Sequence, residues 1–450
     1  MTPTLNREMA RFTAGAHSPQ SIRDLLRNLE FICFGLAGVT ALAVWGASGY
    51  IANSWVKNKL LANETVANAF AIFAIVFALR FCESIYRSSL FGLQRQVWFN
   101  AVNAALATIR HGGAACLLIW FSPTLNTFFI WQATISLTTV FVLSLKVYSI
   151  LPQSQHAAKF SKEALVGIWK FASGMLSITV LTLLLTQVDK LLLVRLLTLE
   201  TFGYYTLAAT VAGILTMIIS PIEQSIYPRM VELSTLKDKT GLVALYHQSA
   251  QLITVLMIPP VMLLGFFAQG IVFMWSGDVH LAIHTAPIIS ILVLGTFLNG
   301  LMHMPYLLQL AHGWTGLTVK INFIAVLILV PALFWVVPRF GAVGAAWVWV
   351  ILNLGYILIG IQLMHCKLIP NEKWRWYIAD LGLPIAASVG IILMASLFRP
   401  NECESRFQWL IFLILTGGIT LTFSSLFANH LRNKILNMMQ LFRIISKLRI

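Results

Sequence analysis

The sequence predicts an all-α membrane protein with about 12 transmembrane helices, and three observations carry that prediction. First, 58% of the 450 residues are hydrophobic and only 10% are charged, whereas an ordinary soluble domain is roughly half apolar and about a quarter charged. Second, apolar runs recur from residue 31 to residue 427, each long enough to cross a bilayer core, which takes about 20 residues as a helix. Third, the connections are short, so no soluble catalytic domain fits between spans.

Taken in order, the spans are expected at 31–52, 66–86, 99–121, 126–145, 171–194, 203–227, 250–274, 282–310, 321–337, 343–364, 378–398 and 409–427. The polar connection LPQSQHAAKFSKEAL, Leu151 to Leu165, marks a lobe boundary. An N-terminal lobe of four spans then occupies 1–150, a C-terminal lobe of six spans 151–367, two additional spans 368–427 and a basic tail 428–450. In that tail, NHLRNKILNMMQLFRIISKLRI alternates basic residues with Ile, Leu and Phe at helical spacing. Such a pattern predicts an amphipathic helix on the inner leaflet, with a partner-binding helix as the alternative. Pro221, Pro228, Pro259, Pro260 and Pro305 fall within or at the edges of spans, where neighbouring helices and water can satisfy the carbonyls they free. They either let helices bend between two shapes or only shape static packing.

Cytoplasmic loops retain Lys and Arg. One alternating set of ends and loops, which includes both termini, holds 22 of the 31 basic residues and the opposite set holds 6. Both termini are therefore expected in the cytoplasm. The formal charge of +15 follows from this sidedness, so anionic membrane lipids, not nucleic acid, are the partners it predicts. Five cysteines with no close pair in sequence indicate neither a disulfide frame nor a zinc site. The first thirty residues lack the apolar core and cleavage site of a signal peptide.

Polar residues inside spans are the candidate site. In LTLLLTQVDKLLLVRLL, Leu181 to Leu197, a turn of 100° per residue gathers Thr182, Thr186, Gln187, Asp189 and Lys190 on one half of the helix. Arg195 points away near the span end, as a snorkelling anchor. A charge at a span centre costs roughly 2.5 to 3.5 kcal/mol, so Asp189 and Lys190 must face protein or a wet cavity. They form either a structural pair between helices or a functional site.

In the third span, Asn100, Asn103, Thr108, Arg110 and His111 make a polar stripe, and the span has no acid to neutralise Arg110. Either another helix supplies one or the cation awaits an anionic ligand. Arg80, Glu83 and Arg87 share a face as a possible ion triad, a structural role being favoured there. Asn299, His303 and Tyr306 form a further stripe, in which His303 reads first as a hydrogen-bonded core histidine. Counted together, Arg80, Arg110 and Lys190 outnumber the buried acids Glu83 and Asp189, with Glu223 nearer a span end. This balance suits an anionic, partly sugar-like or lipid-attached ligand better than a cationic drug. No nucleophile with a base, phosphate-cradling Gly loop or metal-ligand cluster is visible, so neither an enzyme, direct ATP use nor a cofactor is indicated.

TQVDKLLLVRLLTLETFGYYTLAATVAGILTMIISPIEQSIYPRM, YRSSLFGLQRQVWFNAVNAALATIRHGGA, and LLQLAHGWTGLTVKINF followed by FGAVGAAWVW resemble the Wzx-type O-antigen flippases. These form part of the polysaccharide transporter group of the multidrug/oligosaccharidyl-lipid/polysaccharide superfamily. The resemblance covers nearly the whole chain. It implies two helical bundles around a central cationic cavity, in a bacterial inner membrane. The implied activity is an ion-driven flipping of undecaprenyl-diphosphate-linked oligosaccharide, with polysaccharide polymerase and chain-length machinery as partners.

On the matching positions, the resemblance carries over Arg110 and Lys190, expected to attract diphosphate, and Asp189, expected to hold Lys190 or take part in ion coupling. From the polar stripes themselves, Arg80, Asn100, Asn103 and His303 are further substrate-binding candidates and Glu83 a second ion-coupling candidate. MTPTLNREMARFTAGA is similar to the stretch that follows the second helix in relatives, so the first lobe is expected to be incomplete. A drug or small-metabolite exporter, a non-transporting truncated flippase and a membrane polymerase or ligase are the competing readings. The short exported loops speak against the last.

Overall fold

Apolar stretches of more than twenty residues with polar punctuation become long helices, because a backbone in a lipid-like environment must satisfy its own polar groups. The computed structural model describes residues 2–55, 62–153, 158, 160–400, 406–430 and 432–433, and all regular structure in them is helical. The chain divides into two compact units, Met1–Met175 and Leu176–Ile450.

The first unit contains α1 (Thr2–Thr13), α2 (Pro19–Tyr50, continued by a π turn Ile51–Trp55), α3 (Asn63–Gly92), α4 (Gln96–Trp120), α5 (Leu125–Ile150) and the start of α6 (Lys162–Leu196). Ser18 caps α2 by accepting from Ser21 N, with Pro19 in the first turn. α3 is the centre, packed on α2, α5 and α1, with Leu26, Leu90, Leu143 and Val147 buried between them. The sequence reading assigned no element to α1. It lies against α3 so closely that a Cβ at Gly92 would run into the Asn6 carbonyl oxygen and Met9.

Glu8 on α1 is 1% exposed, and it accepts from Arg7 (2.7 Å), Arg11 (2.8 Å) and His17 (2.8 Å). Burial pushes its carboxyl up, but the hydrogen bond with His17 and the charges of Arg7 and Arg11 outweigh burial and hold it below the usual carboxylate range. A depressed folded-state pKa stabilises fully above the unfolded-state value and loses that contribution as pH falls through the folded one. Thermal melts of the detergent-solubilised protein should therefore drop below about pH 4, and Glu8→Ala should flatten that drop. At neutral pH the same variant should cost about 3 kcal/mol or more, because it strands the Arg7 and Arg11 guanidinium groups beside a buried site.

Cys33 on α2 and Cys82 on α3 meet as buried free thiols, a pairing that linear spacing hides. The triad expected from Arg80, Glu83 and Arg87 does not form, since no N···O pair among them lies within ion-pair distance. Arg80 and Arg87 are exposed, and sharing a helix face brings Cβ atoms near without forcing charged ends together.

The second unit continues α6 and adds α7 (Leu199–Thr235), α8 (Lys239–Phe266), α9 (Ala268–Ser276), α10 (Val279–Leu301), α11 (His303–Ala311) and α12 (Gly316–Gly355). The last runs through a π turn, Tyr356–Gly360, into α13 (Ile361–Leu368). α14 (Lys373–Arg375), a π stretch Trp376–Gly382, α15 (Leu383–Ser396) and α16 (Arg406–Phe427) complete it. α10 is the hub, packed on α7, α8, α9 and α12, while α15 and α16 pack on each other and on α8. The helix breaks at Met302, three residues before Pro305, and Pro305 lies in the first turn of α11, where its missing N–H leaves no intrahelical bond unmade.

Eleven helical stretches among the described residues are long and apolar enough to cross a membrane, one of them the 53-residue Gly316–Leu368. A straight helix of that length would measure about 80 Å, far beyond a hydrocarbon core of about 30 Å. It is broken at Gly341, whose φ of 58° and ψ of −146° are not helical and which tolerates that backbone because it lacks a Cβ. Past the break the chain doubles back. A Cβ at Gly344 would run into Val336, one at Gly360 would touch Ile321 at 3.1 Å, and Tyr356 OH donates to Asn322 at 3.2 Å. The two spans expected at 321–337 and 343–364 are thus the arms of one antiparallel hairpin, which makes twelve stretches of spanning length and composition among the described residues. The expected tail helix lies outside the described residues from 434 onward, as does Cys403.

Candidate functional site

The C-terminal half of α6 repeats its polar residues at helical spacing, and the structure turns them to one cavity of 520 Å³ inside the second unit. Ile178, Thr182, Leu185, Thr186, Asp189 and Lys190 supply one wall. α7 adds Tyr205 and Thr216, and α10 with α11 adds Thr296, Asn299, His303, Tyr306 and Gln309. The α12 hairpin and the π turn after it close the space with Thr318, Asn322, Trp349 and Tyr356. The volume falls in the range of about 300 to 1,000 Å³ common to ligand pockets.

Hydrogen bonds hold most of this lining in place. Tyr205 OH donates to Asp189 Oδ2 at 3.2 Å, while Asp189 Oδ1 takes the backbone N–H of Lys190 at 2.7 Å. Asn299 Nδ2 donates to Asn353 (2.8 Å) and Thr318 to Gln309 (3.1 Å). His303 Nδ1 lies 2.6 Å from Glu223 Oε1, so this histidine has an acidic partner on α7 that the sequence reading did not connect with it. The Lys190 ammonium stands apart: among the described residues no carboxylate lies within 4.0 Å of it, Asp189 included. It is a cation exposed at the wall of a cavity rich in hydroxyl, amide and aromatic groups.

The other expected site residues lie in the first unit. Arg110 on α4 is 8% exposed, and its Nη2 donates to Thr139 at 3.2 Å. Its Nε has no partner, and no carboxylate pairs with it among the described residues. No hydrogen bond or ion pair among the described residues joins it to Arg80 or Glu83 of α3. Asn100 and Asn103 are exposed on α4 and do not join it in any hydrogen bond found among the described residues.

A second polar cluster escaped the sequence reading altogether. His247 of α8 is fully buried, with Nδ1 on Asp380 in a very short contact and Nε2 on Glu372 at 2.9 Å. Gln251 donates to Asp380 at 2.9 Å and accepts from His430 N at 2.9 Å. The count of buried acids therefore omitted Glu8 and Glu30, each 1% exposed, and Asp380, which is 0% exposed. Its signal was available, as an acid two residues inside an apolar span at 378–398, yet its partner is 133 positions away.

A multi-pass helical bundle with a polar, cation-bearing cavity in one unit defines an integral membrane protein of transporter-like fold. The chain belongs to the polysaccharide biosynthesis protein family, whose sequence profile matches residues 31–284, more than half of it. It is 22% identical over 325 residues, 71% of this chain and 73% of the relative, to the "Putative O-antigen transporter" of Shigella flexneri. Among solved structures, the Vibrio cholerae MATE transporter VcmN superposes with a TM-score of 0.68 at 11% identity, covering 83% of this chain and 85% of that one. The lipid II flippase MurJ in an inward closed conformation superposes at 0.57 and 14%, covering 96% and 90%. The fold is therefore that of the superfamily named by the sequence resemblance.

Proposed function

We propose that this protein flips undecaprenyl-diphosphate-linked oligosaccharide, an O-antigen or similar repeat unit, across a bacterial inner membrane by alternating access, with both termini cytoplasmic. The observation that carries this reading is Lys190: an ammonium without a carboxylate partner on a cavity otherwise lined by hydroxyls, amides and aromatic rings. Diphosphate oxygens are strong acceptors that a cation recognises, and sugars present hydroxyls to amides and apolar faces to Trp and Tyr. Arg110 in the first unit is likewise free of a carboxylate and can receive phosphate oxygens. Family membership and the names of the Shigella relative and of MurJ support a lipid-linked substrate. Asp189, held by Tyr205, and the Glu223–His303 pair are the groups that can couple a moving ion.

Expression of this chain in a strain deleted for its own O-antigen flippase tests the reading. Restored surface polysaccharide, with loss of the lipid-linked precursor that accumulates in the deletion strain, is the expected result. Unrestored polymer together with resistance to cationic compounds would instead favour a drug exporter, the reading that likeness to MATE transporters keeps open.

A further inference from the structure

Outside the cavity, the N-terminal ends of α7 and α10 bring together Glu200, Tyr204, His280 and His284. Tyr204 follows a different direction from its neighbour Tyr205, about 100° round the helix, and donates to Glu200 Oε1 at 2.6 Å. Its hydroxyl lies 3.4 Å from His280 Nδ1. The ring of His284 stacks on Tyr204 with centroids 5.4 Å apart. The His280 and His284 rings are themselves only 4.2 Å apart, tilted by 35°. Nδ1 of His284 lies 2.9 Å from the His280 carbonyl. The Nε2 atoms of both rings have no hydrogen-bond partner among the described residues, and both residues are exposed.

We propose that His280 and His284 chelate a divalent transition-metal ion, Cu²⁺, Ni²⁺ or Zn²⁺, through their Nε2 atoms. Histidines four apart on a helix share one face, the spacing that metal-binding helices use. Each ring is oriented through its other nitrogen, one by a backbone carbonyl and one by a tyrosine hydroxyl, which is the support that ligating histidines ordinarily have. The helix ends here carry partial positive charge that opposes a cation. Glu200 and Asp278 offset it, the latter already engaged as the cap that accepts from Leu281 N at 3.1 Å. Among the described residues no group of three or more His, Cys, Asp or Glu is arranged to hold an ion. The site is therefore a two-imidazole chelate whose remaining positions are filled by water or by oxygens of a ligand. Imidazole ligands rank Cu²⁺ above Ni²⁺ and Zn²⁺.

The full-length protein, purified without a polyhistidine tag, is titrated with Zn²⁺ and with Cu²⁺ by calorimetry in detergent. One ion per chain is expected. His280→Ala and His284→Ala should each weaken it at least about tenfold, since one imidazole loses the chelate advantage, while His111→Ala should leave it unchanged. His284→Asp, which keeps a ligating group, should recover part of the loss. Gel filtration of each variant at the wild-type volume confirms folding, as expected for exposed side chains. Absence of an ion at one equivalent, or unchanged affinity when both histidines are alanine, would overturn the proposal.

Discussion

Arg110→Met should abolish surface polysaccharide in the complementation assay while leaving the purified protein more stable than the parent. Arg110 is 8% exposed, spends one N–H on Thr139 and leaves Nε unpaired. A buried charge without a carboxylate partner costs stability, and exchanging buried ionic groups for apolar ones of similar size gains about 1 to 4 kcal/mol in favourable cases. An unbraced cation retained at that cost fits a residue that waits for an anion, the usual compromise between stability and activity. Lys190→Ala should have the same effect on transport with little change in stability, because its ammonium is exposed and bonded to nothing that the fold needs. Loss of a charged hydrogen bond of about 1.5 to 3 kcal/mol corresponds to roughly tenfold to hundredfold weaker substrate binding. Membrane fractions probed for the inserted protein separate lost transport from lost expression. Normal polymer with both residues replaced would remove them from substrate binding, and a lower melting temperature for Arg110→Met would make its role structural.

The helices were legible in the sequence because composition and run length decide them: a chain this apolar with short polar connections has few other folds. The doubling back at Gly341 was legible too, since the short stretch around Pro338 and Arg339 interrupts two apolar runs. The half of α6 that carries Thr182, Thr186, Asp189 and Lys190 could be drawn from a period of 3.6, because helical geometry alone fixes which side chains share a face. What periodicity cannot supply is the partner across space. His303 read as a hydrogen-bonded core histidine with no partner named, because Glu223 lies 80 positions away. Cys33 and Cys82 looked unrelated for the same reason. Nor does periodicity say whether neighbouring charges engage, and Arg80, Glu83 and Arg87 share a face without pairing. α1 was invisible because its burial depends on α3, through the contact at Gly92.

His247→Ala should be among the most destabilising single substitutions in the second unit, at about 3 to 5 kcal/mol. His247 is 0% exposed and stands between Asp380, also 0% exposed, and Glu372. Removing the imidazole leaves the Asp380 carboxylate in the interior with Gln251 as its remaining donor. The penalty falls on the docking of the Trp376–Gly382 stretch and α15 against α8, because Asp380 and Glu372 are the acids that tie the region after α13 to that helix. Limited proteolysis should then cut first near Lys373 and Arg375, and the thermal transition in detergent should fall or split in two. The cost comes from a stranded charge rather than from lost attraction, so His247→Leu combined with Asp380→Leu should recover most of the stability. A double variant as unstable as the two single losses added together would mean that the network holds these helices by its own hydrogen bonds. If His247→Ala instead melts like the parent, the short His247–Asp380 contact contributes nothing to the fold.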